Sequence, residues 1–360
     1  MKFRLTYLIS VVIVIIHICF FMFFFSVPKQ KQVEADNDAQ PIQEQPPIRQ
    51  EAAPHPKSPV PASQPGIGPM PQQTPAVETI APYSAAFFRQ DIRQLPSVLD
   101  KMMAAVPACV VVDLDGRRLL YSKDAATARP IASITKMMTT YLAVKKMRAS
   151  NGALNLSTLI KVSSAASQVK ERRVWLSPTE KFTFDELLKA CLVHSANDCA
   201  YLLAEFLGGG KEQAFVAEMN REAAAMGCRS LKYYNANGLP AANGNENIGS
   251  PIELAYLALH LMQYPEIMRW TGVKVEYLRE NDAAFVKRNG GATMLTSSNK
   301  LLGKCKGVNG MKTGYTNKAG HCIVATCERD GRRIAVVVLG ANKERDKVAS
   351  SLIEWAYKQL

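Results

Sequence analysis

The N-terminal part of the chain is set apart by an unbroken run of apolar residues. From Leu5 to Val27 there is no Asp, Glu, Lys or Arg, and Ile, Val and Phe dominate. As a helix rising 1.5 Å per residue, this run would extend roughly 34 Å, enough to cross the hydrocarbon core of a bilayer. It lacks the small-residue cleavage site of a signal peptide. Residues 1–27 are therefore predicted to be an uncleaved membrane anchor.

A segment of different composition follows the apolar run. Residues 28–82 contain 13 of the chain's 20 prolines and no Phe, Tyr or Trp. Such a segment buries too little apolar surface to offset the entropy of ordering the chain. Residues 28–84 are therefore predicted to be a disordered spacer, and residues 85–360 a single folded domain.

Within residues 85–360 the periodicity of apolar residues predicts strands at both ends and helices between them. An apolar β-rich run at 108–114, the turn Asp115-Gly116 and a strand to Tyr121 form a hairpin. Later strands are expected at 311–316, 321–327 and 332–339. Helical spacing is found at 91–105, 134–148, 184–194, 198–207, 211–226, 251–262 and 346–359. This order favours an α+β fold with one antiparallel sheet of about five strands, flanked by helices.

Charge and cysteine content exclude some functions. The net charge is +13, but the basic residues are scattered and carry no nucleic-acid-binding motif, so we predict no nucleic-acid partner. A negatively charged envelope polymer remains compatible with the charge. The neighbouring residues Cys191, His194 and Cys199 lack the spacing of a zinc site, and so does the group His321, Cys322 and Cys327. No metal or cofactor is therefore expected, and cysteine pairing stays open.

Ser133 and Lys136 are the first candidates for chemistry. Pro130 precedes them and an apolar helical run follows, which predicts a helix starting near Ser133. Positions three apart share a helix face, so the hydroxyl and the amine are expected to meet. A serine hydroxyl needs a base to become nucleophilic, and a lysine with a lowered pKa is one.

Two further polar motifs come later in the chain. Ser195 and Asn197 lie between two apolar helices, where a hydroxyl and an amide can relay a proton and hold a peptide carbonyl. Lys312, Thr313 and Gly314 lie on a predicted strand. The Lys312 ammonium is expected to lower the pKa of the first lysine and to attract a substrate carboxylate, which the threonine can also bind. The glycine would let a substrate backbone approach the strand.

In this order and these contexts, the three motifs indicate an active-site serine peptidase or β-lactamase. The chain resembles the low-molecular-mass penicillin-binding proteins, the serine D-alanyl-D-alanine carboxypeptidases, over nearly all of residues 105–360. The similar segments are Arg129–Met138, Val193–Asp198, Tyr234–Gly238 with Leu239-Pro240, Asn299–Leu302 and Gly310–Gly320. The family commonly has glycine at the position of Ala196.

The resemblance implies a role for each matching residue. Ser133 would be acylated, Lys136 would be its base, and Ser195 would pass a proton to the leaving D-alanine. The backbone N–H groups of Ser133 and Tyr315 would form the oxyanion hole. The implied fold is that of the serine β-lactamases and D,D-peptidases.

The same resemblance implies a substrate site. Asn197 would bind the substrate amide, and Lys312 and Thr313 its terminal carboxylate, with Gly314 beside them. Arg345 matches an arginine of the family near the carboxylate, although a surface arginine is an alternative. The implied substrate is a peptidoglycan stem peptide ending in D-Ala-D-Ala, and β-lactams are the implied covalent inhibitors.

The expected activity is thus a penicillin-sensitive D,D-carboxypeptidase that removes the terminal D-alanine of stem pentapeptides. A D,D-endopeptidase acting on cross-links would use the same residues. A class A β-lactamase is disfavoured, because no glutamate from Glu205 to Glu280 has Asn four residues later. A catalytically idle wall-binding protein would not need Ser133 and Lys136. Positive residues flank the anchor on both sides, so it is the chemistry that places the domain outside the cytoplasmic membrane.

Overall fold

The computed structural model describes residues 77–289 and 291–360, without the side chains of 288 and 289. The predicted anchor and most of the predicted spacer lie outside these residues. In the described part, no helix is long and apolar enough to cross a membrane. Residues before the predicted domain start already bond to the domain: the Tyr83 amide donates to the carbonyl of Met226, and the Tyr256 hydroxyl donates to the carbonyl of Ala81.

The centre of the domain is a six-stranded sheet. Its strands are β1 (Arg89–Gln90), β2 (Ala108–Asp113), β3 (Arg118–Lys123), β10 (Val308–Thr316), β11 (Gly320–Arg329) and β12 (Arg332–Ala341). Their order across the sheet is β1-β3-β2-β12-β11-β10. Five of them pair antiparallel, and the two-residue β1 pairs parallel with β3. The first and last parts of the domain thus meet where β2 pairs with β12, which confirms the predicted sheet and adds one short parallel edge strand.

Within the described residues, three two-stranded ribbons lie outside this sheet. They are β4 (Arg129–Pro130) with β7 (Ile248–Gly249), β5 (Leu159–Lys161) with β6 (Lys181–Thr183), and β8 (Val275–Leu278) with β9 (Thr293–Thr296). Strand β4 of the first ribbon ends just before Ser133. The hydrogen bond from the Ile131 amide to the carbonyl of Asn247 extends the β4–β7 pairing by one residue. This ribbon therefore fixes the chain just before the candidate nucleophile.

Helices cover both faces of the sheet. They are α1 (Ser97–Met103), α2 (Lys136–Ala149), α3 (Ser164–Ser167), α4 (Phe184–Lys189), α5 (Asn197–Leu207), α6 (Glu212–Ala225), α7 (Pro251–Leu261), α8 (Pro265–Thr271), α9 (Ala283–Asn289) and α10 (Arg345–Tyr357). A 3-10 helix at Ala132–Thr135 leads into α2, and a π-helical turn at Ala190–His194 extends α4.

Alternate residues of each central strand belong to two separate cores. Val110 and Val337 pack with the larger helical layer, whereas Val111 and Val336 pack with α1 and α10. Because both sheet faces are covered, these strands are apolar at every position rather than at alternate ones.

The first helix differs from the predicted range 91–105. It begins only at Ser97, directly after Pro96. A proline inside a helix cannot donate a backbone hydrogen bond, and its ring clashes with the preceding turn. The residues before it are held in an extended course instead, with the amides of Asp91 and Arg93 donating to carbonyls of β3. The predicted helix therefore combined two segments that a proline separates.

Candidate active site

The side chains of Ser133 and Lys136 meet in a buried recess. The Lys136 ammonium nitrogen Nζ lies 3.0 Å from Ser133 Oγ, with which it hydrogen-bonds. Ser133 lies in the 3-10 helix and Lys136 opens α2, so one helical turn brings the two groups together. Lys136 is completely buried, while Ser133 is partly exposed. An incoming molecule can therefore reach the hydroxyl but not the amine behind it.

Two more oxygens hold the amine in place. Lys136 Nζ donates to Asn197 Oδ1 at 2.7 Å and to the carbonyl oxygen of Asn237 at 2.6 Å. Both acceptors are uncharged, and in the described part of the chain no carboxylate hydrogen-bonds to this amine. The geometry thus aims the lysine at Ser133 without a hydrogen-bonded carboxylate, and the nearby Asp198 favours the protonated form only through its charge.

Burial sets the pKa of Lys136. This pKa is lowered from 10.5 to about 7, mainly by desolvation, and the nearby Arg172 guanidinium contributes to the lowering. The pKa of Lys312 also lies well below its ordinary value, first because of burial and then because of the charge of Lys136. The sequence left open whether burial or a second cation, Lys312, lowers the pKa of Lys136. The structure gives burial as the main cause, with Arg172 as the contributing cation.

Ser195 and Lys312 form the second group of the site. Lys312 Nζ donates to Ser195 Oγ at 2.9 Å and to the carbonyl of Thr313 at 2.9 Å. Ser195 follows the π-helical turn in a left-handed backbone conformation, with φ of 65°, and Asn197 then starts α5. This reversal lets residues 195 and 197 serve neighbouring groups: the serine meets Lys312 and the asparagine meets Lys136.

Strand β10 passes very close to the Ser133 backbone. A Cβ placed on Gly314 would lie 3.0 Å from the Ser133 nitrogen and 2.8 Å from the Ile131 carbonyl oxygen. On the other side, a Cβ on Gly238 would lie 2.2 Å from the Ala132 carbonyl oxygen. Both contacts are too short for any side chain, so the two positions require glycine. The serine backbone is clamped between a strand and a turn.

The remaining predicted residues lie along the same strand and beside it. Thr313 is buried and hydrogen-bonds with Ser298, a residue that the motifs did not indicate. Tyr315 is 55% exposed and stacks on His321, with 4.6 Å between the ring centroids. Its side chain therefore lies exposed near the C-terminal end of β10.

Arg345 is buried rather than on the surface. Its Nη1 donates to the Cys322 carbonyl oxygen at 3.3 Å, and its other nitrogens bond to the carboxylate of Asp346. It lies close enough to Lys312 to contribute to the lowered pKa of that lysine. The guanidinium thus adds positive charge near the candidate carboxylate site, and Asp346 partly compensates that charge.

The structure adds an asparagine network that sequence reasoning did not assign. Asn247 Nδ2 donates to Thr135 Oγ1 at 2.8 Å and to the Asn235 carbonyl at 3.0 Å. Asn235 Oδ1 in turn accepts from the Gly238 amide at 2.7 Å. These bonds fix the turn whose Asn237 carbonyl touches Lys136. The density of Asn in 235–247 was the available signal, since Asn favours such turns.

Comparison with known proteins gives one consistent result. A family model described as D-alanyl-D-alanine carboxypeptidase, peptidase S11, matches residues 97–343. The chain is 31% identical over 284 residues to the D-alanyl-D-alanine carboxypeptidase DacF of Bacillus subtilis, covering 78% of this chain and 68% of that protein. It is also 29% identical over 237 residues to a D-alanyl-D-alanine endopeptidase of Pseudomonas aeruginosa, covering 65% and 71%.

Solved structures agree with the sequence matches. The carboxypeptidase DacD of Francisella tularensis superposes with a TM-score of 0.63 at 26% identity, covering 70% of each chain. Penicillin-binding protein D2 of Listeria monocytogenes, in its ampicillin-bound form, superposes with a TM-score of 0.59 at 26% identity, covering 69% of this chain and 96% of that one. The fold and the local arrangement around Ser133 therefore lead to the same group of proteins.

Proposed function

The chain belongs to the D-alanyl-D-alanine carboxypeptidase family of serine peptidases, and from this premise we propose how its own residues carry out the reaction. The proposed reaction removes the terminal D-alanine from peptidoglycan stem pentapeptides through an acyl-enzyme on Ser133. The observation that carries the proposal is the 3.0 Å contact between Ser133 Oγ and a buried lysine amine with a pKa of about 7. Such an amine is neutral in about half of the molecules at pH 7, so it can accept the serine proton.

Acylation follows from this arrangement. Lys136 takes the proton of Ser133 as Oγ attacks the carbonyl carbon of the penultimate D-alanine. The backbone N–H groups of Ser133 and Tyr315 are the proposed oxyanion hole, supported by the close approach of β10 to Ser133. When the C–N bond breaks, Ser195 donates a proton to the leaving amine, and the proton that Lys136 took from Ser133 restores the Ser195 hydroxyl, which Lys312 holds by a hydrogen bond. A water molecule then attacks the ester while Lys136, neutral again, takes a proton from it. Lys136 returns this proton to Ser133 Oγ as the ester bond breaks.

Recognition of the terminal carboxylate is assigned to Lys312 and Thr313. Both side chains are buried, Lys312 bonds to Ser195, and Arg345 adds charge nearby. A bound carboxylate would stabilise the protonated form of Lys312, whose pKa is depressed in the free site. Substrates with a free D-Ala carboxylate would therefore bind better than their amides. β-Lactams, which carry a carboxylate beside a strained amide, are the proposed covalent inhibitors.

The proposed location is the outer side of the cytoplasmic membrane. Residues 1–27 would anchor the chain by a single span. The proline-rich part of residues 28–84 that precedes Ala81 and Tyr83, which bond to the domain, would hold the catalytic domain away from the bilayer. The support is the apolar run itself and the location of the substrate polymer. Protease treatment of intact spheroplasts tests it, because an external domain is degraded and a cytoplasmic one is protected.

Labelling with a fluorescent penicillin, together with D-alanine release, tests the proposed activity. The full chain in detergent should form a stable fluorescent adduct and release D-alanine from a pentapeptide. Ser133→Ala should lose both activities, whereas the exposed-serine control Ser157→Ala should keep both. Equal labelling of Ser133→Ala would contradict the proposal. Cleavage of cross-linked dimers without release from the pentapeptide would favour the endopeptidase, and rapid hydrolysis of the penicillin would favour the β-lactamase.

A further inference from the structure

A short loop between α3 and β6, residues 170–176, is hydrogen-bonded directly to the candidate site. Asn197 Nδ2 donates to the Glu171 carbonyl at 3.0 Å, and the Asn197 amide donates to the Arg172 carbonyl at 2.8 Å. Arg172 Nε donates back to the His194 carbonyl at 2.8 Å. The loop therefore forms the wall behind Asn197, whose opposite side touches the base Lys136.

The same loop is fixed at its other end by a buried carboxylate. The amides of Val174 and Leu176 both donate to Asp198, the residue after Asn197. Val174 and Leu176 are themselves buried, and Trp175 between them is 54% exposed. The indole therefore projects outward from a backbone anchored on both sides to the residue next to Asn197.

The backbone of this loop is unusual for the residues it contains. Glu171, Arg172 and Trp175 have φ values of 56°, 33° and 62°, in the left-handed region that bulky residues rarely adopt. Such conformations persist only where surrounding contacts impose them, and they concentrate at functional sites. The Arg173 guanidinium lies over the Trp175 ring at 3.5 Å from the centroid. One indole face is thus covered by a side chain, which restrains the ring.

We propose that Trp175 is a specificity-determining residue that binds the aliphatic side chain of the substrate residue preceding D-Ala-D-Ala. This inference rests on the proposed function. Asn197 is the proposed ligand of the substrate amide on the acyl side of the scissile bond, so the wall beside it borders the part of the peptide that precedes that bond. A half-exposed, restrained indole there offers a rigid apolar surface that an aliphatic chain can cover at little entropic cost.

The chemistry of the contact predicts how activity depends on chain length. A fully buried methylene contributes about fourfold in an equilibrium or rate ratio, and an indole covers only one side of a chain. Each added methylene should therefore raise kcat/KM about twofold to fourfold. The effect should lie mainly in KM, since the contact is remote from the bond that breaks.

The test uses four N-acetyl-X-D-Ala-D-Ala peptides, in which X is glycine, 2-aminobutyrate, norvaline or norleucine. For the full chain, log kcat/KM should rise at every step of this series, most from glycine to 2-aminobutyrate, which adds two carbons, and less at the later steps, which add one each. Trp175→Ala should make the series nearly flat while leaving the glycine peptide within about twofold of its original value. Trp175→Phe, which keeps an aromatic surface, should retain most of the slope. Phe206→Ala, which removes a 41% exposed aromatic at the far end of α5, is the matched control and should retain all of it.

The possible failures are distinguishable. An equal loss for the glycine and norleucine peptides in Trp175→Ala would mean that the indole only supports the wall, and it would overturn the proposal. A slope that survives in Trp175→Ala, or is absent from the unmodified chain, would also overturn it. The rate of penicillin labelling of Ser133 reports on the catalytic groups in every variant. Unmodified protein that turns over none of the four peptides would overturn the proposed function itself, and the inference with it.

Discussion

The pH dependence of Ser133 acylation should report the neutral fraction of Lys136. The pKa of this lysine is lowered from 10.5 to about 7, which corresponds to about 5 kcal/mol of destabilisation of its charged form. Because the neutral amine is the base, acylation should rise with pH and level off above the pKa. About a tenth of the molecules are neutral at pH 6 and about nine tenths at pH 8, so the rate should rise about tenfold. A lysine of ordinary pKa would give about a hundredfold rise over the same interval.

Stopped-flow labelling with a fluorescent penicillin between pH 5.5 and 9.5 measures this profile. Arg172 lowers the pKa of Lys136, so Arg172→Gln should move the midpoint to higher pH. Arg173→Gln removes a charge from the same loop and serves as the control, with an expected midpoint close to the original. A rate that keeps rising tenfold per pH unit above pH 8 would refute the reasoning, because it would mean that burial does not neutralise Lys136.

Three single substitutions and one double substitution test the packing of the domain. Gly314→Ala should slow acylation about a hundredfold, because its Cβ would displace the Ser133 backbone from 3.0 Å; unchanged labelling of a folded variant would contradict this. Asp198→Ala should lower the free energy of unfolding in urea by about 3 kcal/mol, since buried amides lose their acceptor. Arg148→Ala should cost about 3–5 kcal/mol by leaving the buried carboxylate of Glu266 unpaired, and adding Glu266→Ala should recover part of this loss in the same measurement.

The central sheet could be predicted because its signals are local. Strands β11 and β12 are continuous apolar runs, and Asp330-Gly331 marks the turn between them. The helices around the site could also be predicted from the spacing of their apolar residues. By contrast, the β8–β9 hairpin was not predicted. Its strands are only four residues each, and fourteen residues separate them, so neither periodicity nor a tight turn indicates the pairing.

The motifs identified which polar side chains would meet, but not what surrounds them. Ser133, Lys136, Ser195, Asn197 and Lys312 were all singled out from the sequence, and the structure brings them into two contacting groups. The carbonyl of Asn237 could not be predicted as a partner of Lys136, because it is a backbone group 101 residues away. Every residue type has a backbone carbonyl, so a sequence motif cannot indicate which carbonyl will bond to the lysine.

The cause of the lowered lysine pKa shows the same limit and has a mechanistic consequence. A sequence displays the charge of Lys312 but not the desolvation of Lys136, and desolvation is the larger effect. Because burial, helped by Arg172, keeps Lys136 neutral in about half of the molecules at pH 7, the base is ready before any substrate arrives. Lys312 is then free for a different role, because its own depressed pKa makes its charge responsive to a bound carboxylate. Two lysines in one recess thus perform separate functions, since one is neutralised by the protein and the other is charged by the substrate.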